Sequence, residues 1–462
     1  MIHIHGNIIE KKSGWITLHI YGSAYERGFA HGFLLSNEFV RIQKTFPFLV
    51  EEQIGVSFKK YMKKSNDVIY PIVKKKFPEF FEEIRGISEG LAHSGKEISI
   101  EYLIAWNSYV TLYSDFKVDS LIKCSAFIAT GNATEDGEIV MGHNTHCDFA
   151  TSQVFNVMIY LTPNTGVPFV MQTCAGYIAS ATDWFICANG MIGCETTITK
   201  INYKPKFGTP YFCRIRQAMQ YGNSLDEYTQ IMLKENAGDY ACSWLFGNVH
   251  TNEIMLFELG LKVNSVQRTK NGLFYGMNSA IDETLREKET FDISHDDPST
   301  SCGSRNIRLK QLLYEKYYGS ININNAKLIL SDHYDVGLGK KEMNSKGICK
   351  HNEMDENSKY FPFGSTDVKV VNSSMAREMK FLAKFGSGCN RPFFVDEFIK
   401  ENPRYKKWKN VLVDMPARRY IEIHNDRSYV PQWISTYMPN LFTKSSREET
   451  LQYFGLFSKN YA

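Results

Sequence analysis

The apolar positions of this chain change their period twice. From Trp15 to about Val118 they recur at helical spacing. In SAYERGFAHGFLLSNEFVRIQKTF, Ala24, Phe29, Ala30, Leu34 and Phe39 fall on one face, and KKKFPEFFEEIRGISEGLAHSG does likewise after a break at Pro78. Residues 1–123 are therefore predicted to form a helical N-terminal segment. After Cys124 come short runs rich in Val, Ile, Phe and Thr: CSAFIAT, GEIVMGHN, FNVMIYLTPNTGVPFVMQTC and WFICANGMIGCETTI. EDGE and PNTG between them read as hairpin turns, which makes the flanking strands antiparallel neighbours.

Helical spacing returns in TPYFCRIRQAMQYGNSLDEYTQIMLKE, where Ser224 and Glu227 have capping-box spacing. Strands follow in SWLFGNVHTNEIMLFELG and GLFYGMNSA, then helices in RNIRLKQLLYEKYY and NAKLILSDHYDV, and a late strand pair in NVLVDMPARRYIEIHND. Strands in blocks and helices in blocks predict layered α+β packing of antiparallel sheets over residues 124–462, not a doubly wound parallel sheet. The polar stretch from about Met354 to Asn372 reads as a mobile insertion, and no internal repeat or low-complexity segment interrupts the pattern.

Composition narrows the functional classes. With 462 residues, 43% hydrophobic and 22% charged, the chain can bury a large core. A net charge of +3 leaves no electrostatic footprint for nucleic acid, and the short basic runs Lys74–Lys76 and Arg404–Lys409 read as solvated faces. The ten cysteines lack the spacing of a disulfide scaffold and sit in apolar runs, as reduced buried thiols do. The opening MIHIHGNIIEKKSGW has no basic region followed by an apolar one, and no stretch reaches the roughly 18 apolar residues of a membrane span. The expectation is a cytoplasmic protein without stable membrane insertion, and a homo-oligomer is compatible with it.

Cys124 opens KCSAFIATGNATEDGEIVMGHNTHCDF, and taken alone it reads as an inert buried thiol. A nucleophilic thiol needs a base and oxyanion donors, yet papain-like, caspase-like and G-x-S-x-G signatures are all missing. Cleavage between Lys123 and Cys124 would supply the base: the freed α-amine, with a pKa of about 8, would sit on the same residue as the thiol.

The order GSAYERGFAHG, CSAFIATGNATEDGEIVMGHNTHCDF, GMIGCETTI, LFGNVHTNEIMLFELG, GMNSA, GSRNIRLKQLL, LSDHYDV with GICKH, and VLVDMPARR resembles the cysteine N-terminal-nucleophile hydrolases. Within them the likeness is to the isopenicillin N acyltransferase-like family and the phospholipase B-like proteins, with bile-salt hydrolases as more distant cousins. It runs from Gly22 to about Arg419. The resemblance implies a four-layer αββα sandwich in which the precursor cuts itself before the nucleophile, making residues 1–123 a pro-region or α chain and residues 124–462 a β chain. It further implies Cys124 as nucleophile, Asn278 in the oxyanion hole, Arg305 beside the nucleophile with Ser304 next to it, and Thr196 directed at the oxyanion. GHNT matches His143, Asn144 and Thr145, leaving open whether His146 or Asp148 meets the α-amine. Lys123 departs from the pattern, because relatives often carry a small residue there.

Three other readings compete. His143, His146, Cys147 and Asp148 are all zinc-ligand types, but strand alternation separates His143 and Cys147 from His146 and Asp148, so no metal and no cofactor is expected. His333 and Asp335 offer a His–Asp pair for a Cys–His mechanism. An uncleaved, non-catalytic binding protein on the same scaffold is the third. The favoured expectation is an autoproteolytic cysteine amidohydrolase or acyltransferase acting on a small acylated substrate, with Phe149, Tyr177 and Trp184 lining an apolar acyl site. Phospholipase B-like hydrolysis of a lipid acyl ester is the alternative.

Overall fold

A computed structural model describes residues 3–116, 123–206, 208–355 and 362–425. It is a mixed fold of helices with two large, mainly antiparallel sheets. The larger has nine strands, in the spatial order Gly6–Lys12, Trp15–Gly22, Val157–Pro163, Phe169–Thr173, Phe185–Cys187, Met191–Thr197, Cys242–Asn248, Glu253–Leu259 and Asn264–Thr269. Its one parallel pairing joins Trp15–Gly22 to Val157–Pro163. The smaller sheet is antiparallel throughout, in the order Gly272–Gly276, Lys123–Thr130, Val140–Asp148, Phe363–Asn372, Phe381–Phe385 and Ile421–Ile423.

Both predicted hairpins form: EDGE joins Lys123–Thr130 to Val140–Asp148, and PNTG joins Val157–Pro163 to Phe169–Thr173. Gly137 and Gly166 take the positive φ these turns require, 75° and 106°. Ser224 caps the Leu225–Leu233 helix by accepting from Glu227 N at 3.2 Å. The Glu227 carboxylate reaches Asn223 N instead of closing the box on Ser224.

Three expectations are corrected. Trp15–Gly22 is a strand and not the start of a helix; Ile16, Leu18 and Ile20 alternate with Thr17, His19 and Tyr21, the period of two that a strand carries, although all eight residues are buried. Phe363–Asn372 is a strand inside the smaller sheet and not an insertion, with its polar Ser365, Thr366, Asp367 and Lys369 buried; residues 356–361 of that stretch lie outside the described residues. Of the late strand pair only Ile421–Ile423 forms, while Met415 makes a single bridge to Phe393.

Alternation along the smaller sheet divides its side chains. Cys124, Ala126, Ile128 and Met141 share one core with Ile186, Ile192, Leu245 and Ile254 of the larger sheet. Phe127, Ala129, Val140, Val368 and Val370 pack with Leu309, Leu312, Ile329 and Leu330 from the helical stretches that follow. Among the described residues no helix is long and apolar enough to cross a membrane.

In the N-terminal segment the helices Ala24–Leu34 and Pro78–His93 cross at glycines. A Cβ on Gly28 would lie 2.0 Å from Glu83 O, and one on Gly32 2.1 Å from Ile87 O. Gly86 and Gly90 abut Tyr25 O and Phe29 O in the same way, at 2.3 and 2.2 Å. Gly32→Ala is therefore expected to push the helices apart and cost about 1–3 kcal/mol by the usual scale of overpacking. Urea denaturation checks this: an unchanged midpoint would mean that the helices separate freely.

Candidate active site

Cys124 is the second residue of the Lys123–Thr130 strand and is fully buried. Its backbone N–H donates to Asn278 Oδ1 at 3.1 Å. Arg305 locks this pair: one terminal nitrogen donates to Cys124 O at 2.7 Å and Ser125 Oγ at 3.1 Å, the other to Asn278 Oδ1 at 3.1 Å. The arginine projects from the Ser301–Lys310 helix, whose N-terminus is capped by Thr300, and its Nε is held by Ser301 O at 3.0 Å. Its neighbour Ser304 faces elsewhere and accepts from Val336 N at 3.3 Å.

Asn278 follows the Gly272–Gly276 edge strand with φ 80°, in the left-handed region that asparagine tolerates better than most residues. Its Nδ2 donates to Thr197 O at 2.9 Å, and its backbone oxygen accepts from Thr199 Oγ1 at 3.0 Å. Thr196 is buried with its hydroxyl unpartnered and lies against Gly276, where an added Cβ would come within 2.1 Å of Oγ1.

The thiol of Cys124 is directed at a group that motif reading passed over. Its Sγ lies 3.9 Å from Glu195 Oε1, which also accepts from Tyr240 OH at 2.9 Å. Burial pushes the Glu195 carboxyl up to about 7. The Asp183 carboxyl is raised well above its ordinary range by burial, then by the neighbouring Glu195 charge. Burial, then Glu195, likewise raises the Cys124 thiol well above its ordinary value, and the resting group is S–H.

Opposite Cys124 in the ladder stands Thr145, whose Oγ1 donates to Asp367 Oδ1 at 2.9 Å and accepts from Lys369 Nζ at 2.9 Å. Lys369, fully buried, is paired with Asp367 and donates to Gln172 Oε1 at 2.7 Å. Glu195 and Lys369 are charged residues buried inside strands, and Asp183 is one buried in the bend before Phe185–Cys187; a charge among apolar neighbours, as Glu195 is after Met191–Cys194, is the signal by which such a group could have been found.

The second-strand residues disperse. His143 Nε2 meets Glu195 O at 3.1 Å, and burial, with Lys369 nearby, keeps its imidazole neutral. Asn144 donates to Leu330 O at 2.6 Å and Ile348 O at 3.2 Å, and His146 Nε2 meets Ile348 O at 3.0 Å; burial holds this second imidazole neutral as well. Asp148 caps the Phe149–Ser152 turn through Thr151 N at 2.8 Å. The structure thus brings neither His146 nor Asp148 to the Cys124 nitrogen.

The three aromatics expected at an acyl site have different neighbours. Trp184 packs 6.3 Å from His143, with Lys369 Nζ 6.0 Å from its ring. Tyr177 donates to or accepts from Tyr211 OH at 2.8 Å and borders a small crevice with Trp106, Tyr109 and Phe155. Phe149 packs against Phe393 with the rings tilted by 48° and their centres 4.2 Å apart.

No protein-family model matches the sequence. An uncharacterized protein of Archaeoglobus fulgidus is 26% identical over 268 residues, a match covering 52% of this chain and 42% of that protein. The chain therefore spans less than half the length of this relative. Two solved structures of conjugated bile acid hydrolase from Clostridium perfringens, both point variants, align at low similarity. One has a TM-score of 0.32 at 11% identity, covering 56% of this chain and 89% of that one. The other has a TM-score of 0.29 at 10% identity, covering 57% and 81%.

Proposed function

We propose that the chain is a self-processing cysteine amidohydrolase or acyltransferase with αββα layering, and that Cys124 becomes its N-terminal nucleophile. The observation that carries this reading is the hydrogen bond from Cys124 N to Asn278 Oδ1, 3.1 Å, with Arg305 clamped across both residues. The nitrogen that would become the α-amine already has its partner, while the thiol faces a carboxyl near neutrality.

Self-cleavage then runs through an acyl shift. Glu195 takes the thiol proton and Sγ attacks the Lys123 carbonyl carbon. The S–C bond forms as the C–N bond breaks, and the departing nitrogen takes the proton to become the amine of Cys124. Water hydrolyses the thioester, freeing the Lys123 carboxylate and restoring the thiol. In the processed protein the α-amine serves as base, and an acyl amide is attacked to give an acyl-Cys124 intermediate. Thr196 Oγ1, unpartnered and buried, and Asn278 supply oxyanion donors, Asn278 by turning its Nδ2 from Thr197 O. The acyl group then passes to water or to an amine.

Intact mass and a denaturing gel of wild type and Cys124→Ala test the reading. Wild type is expected to yield fragments 1–123 and 124–462 that stay together under native conditions, and the alanine variant a single chain. A single chain in both would replace this reading with an uncleaved binding protein.

A further inference from the structure

Beyond Cys124, four side chains from three separated stretches of the chain converge on one point. His333 follows the Ile323–Leu330 helix, Cys349 and His351 lie in a C-x-H stretch before the Phe363–Asn372 strand, and Cys389 is in the loop after Phe381–Phe385. One potential ligand atom from each lies within 4.8 Å of all the others. From these positions we infer a structural zinc site of the Cys2His2 type, formed by His333, Cys349, His351 and Cys389.

The spacing carries the inference. With Zn–N near 2.05 Å and Zn–S near 2.3 Å, a tetrahedral ion holds two nitrogens about 3.3 Å apart and a nitrogen and a sulfur about 3.6 Å apart. Here the two Nε2 atoms of His333 and His351 are 3.2 Å apart, and His351 Nε2 lies 3.5 Å from Cys349 Sγ and 3.3 Å from Cys389 Sγ. The far nitrogen of His351 is engaged as a ligating histidine's is: Nδ1 donates to Glu353 Oε1 at 2.6 Å, fixing the tautomer that leaves the Nε2 lone pair facing the sulfurs. Two thiols and two imidazoles, with no vacant protein position, match a closed structural centre and not a catalytic one. Loading Zn²⁺ releases the two thiol protons of Cys349 and Cys389.

The backbone around the cluster is already drawn tight. Cys349 N donates to Asp332 O at 3.0 Å, His351 N to Asn344 O at 2.8 Å, and Gly388 presses on Leu330 O, 2.8 Å from where its Cβ would be. The ion would clip these stretches behind the strand that holds Asn144 and His146, whose side chains reach Leu330 O and Ile348 O.

Elemental analysis of the full chain, purified and dialysed against a weak chelator, should find one zinc per chain in wild type and in Cys124→Ala, and at least a fivefold loss in Cys389→Ser. Wild type reconstituted with Co²⁺ should show tetrahedral d–d bands and a sulfur-to-cobalt charge-transfer band that Cys389→Ser weakens. Should that variant fail to fold, competition between wild type and a chromophoric chelator for Zn²⁺ still reads the affinity directly. Absence of stoichiometric binding at micromolar Zn²⁺, a cobalt spectrum without sulfur character, or a mass 2 Da low from a Cys349–Cys389 disulfide would each overturn the site. Retention of zinc in Cys124→Ala keeps this result independent of the processing experiment.

Discussion

Precursor carrying Glu195→Gln is expected to convert to the two proposed fragments about 10²–10⁴-fold more slowly than wild type, the usual contribution of a positioned general base. Glutamine keeps the volume and can still accept from Tyr240 OH, so the fold is retained while the proton acceptor is lost. The pH profile separates this role from a merely structural one. The carboxyl takes the thiol proton only when ionised, and burial pushes it up to about 7. The wild-type rate should therefore fall about tenfold per pH unit below that value and level off above it. The glutamine variant should show no such limb. Timed gels of freshly purified precursor across pH 5 to 9 make the measurement, and matching profiles in the two proteins would exclude Glu195 as the base.

Motif order and side-chain periodicity read different parts of this site. Cys124, Asn278 and Arg305 are far apart in sequence and each is unremarkable alone, yet they meet through three hydrogen bonds because the edge strand ending at Gly276 lies beside the strand that begins at Lys123. Glu195 stands in GMIGCETTI, a run quoted for Thr196, and its importance depends on which strand crosses it, a non-local fact that no local period encodes. The same limit explains Phe363–Asn372. Asp367 and Lys369 make it look like a loop until Thr145 and Gln172 are seen to satisfy them inside the sheet. Strand alternation was a sound guide where neighbours did not matter: it separated His143 from His146, and the structure has them bonding to Glu195 O and Ile348 O. The converging cysteines and histidines were legible only as C-x-H in GICKH, since His333 and Cys389 stand at spacings that belong to no local zinc motif.

Glu83→Ala should cost about 3–5 kcal/mol, the scale for removing one partner of a buried ion pair. Glu83 lies on the Pro78–His93 helix, fully buried, between two buried arginines. Arg27 Nε reaches it at 2.6 Å, and Arg216, from the Tyr211–Tyr221 helix, meets both carboxylate oxygens at 3.0 Å. Alanine leaves Arg27 with Glu79 at 2.8 Å and Arg216 with Gln220 and Ile178 O, too little to neutralise two guanidinium groups out of water. Burial opposes ionisation of Glu83, but Arg216 and Arg27 outweigh it and hold the carboxyl below its usual range. A depressed carboxyl contributes stability that is complete above about pH 5 and is lost as pH falls through the folded value, so the gap between wild type and Glu83→Ala should narrow in acid. Urea midpoints at pH 7 and pH 4 measure both effects. The control is a triple variant, Arg27→Met, Glu83→Leu, Arg216→Met, which removes the charges together and should recover most of the loss. Because this cluster joins the N-terminal helices to a helix of the 124–462 part, the same substitution should also loosen the association of the two proposed fragments, read as loss of fragment 1–123 on gel filtration.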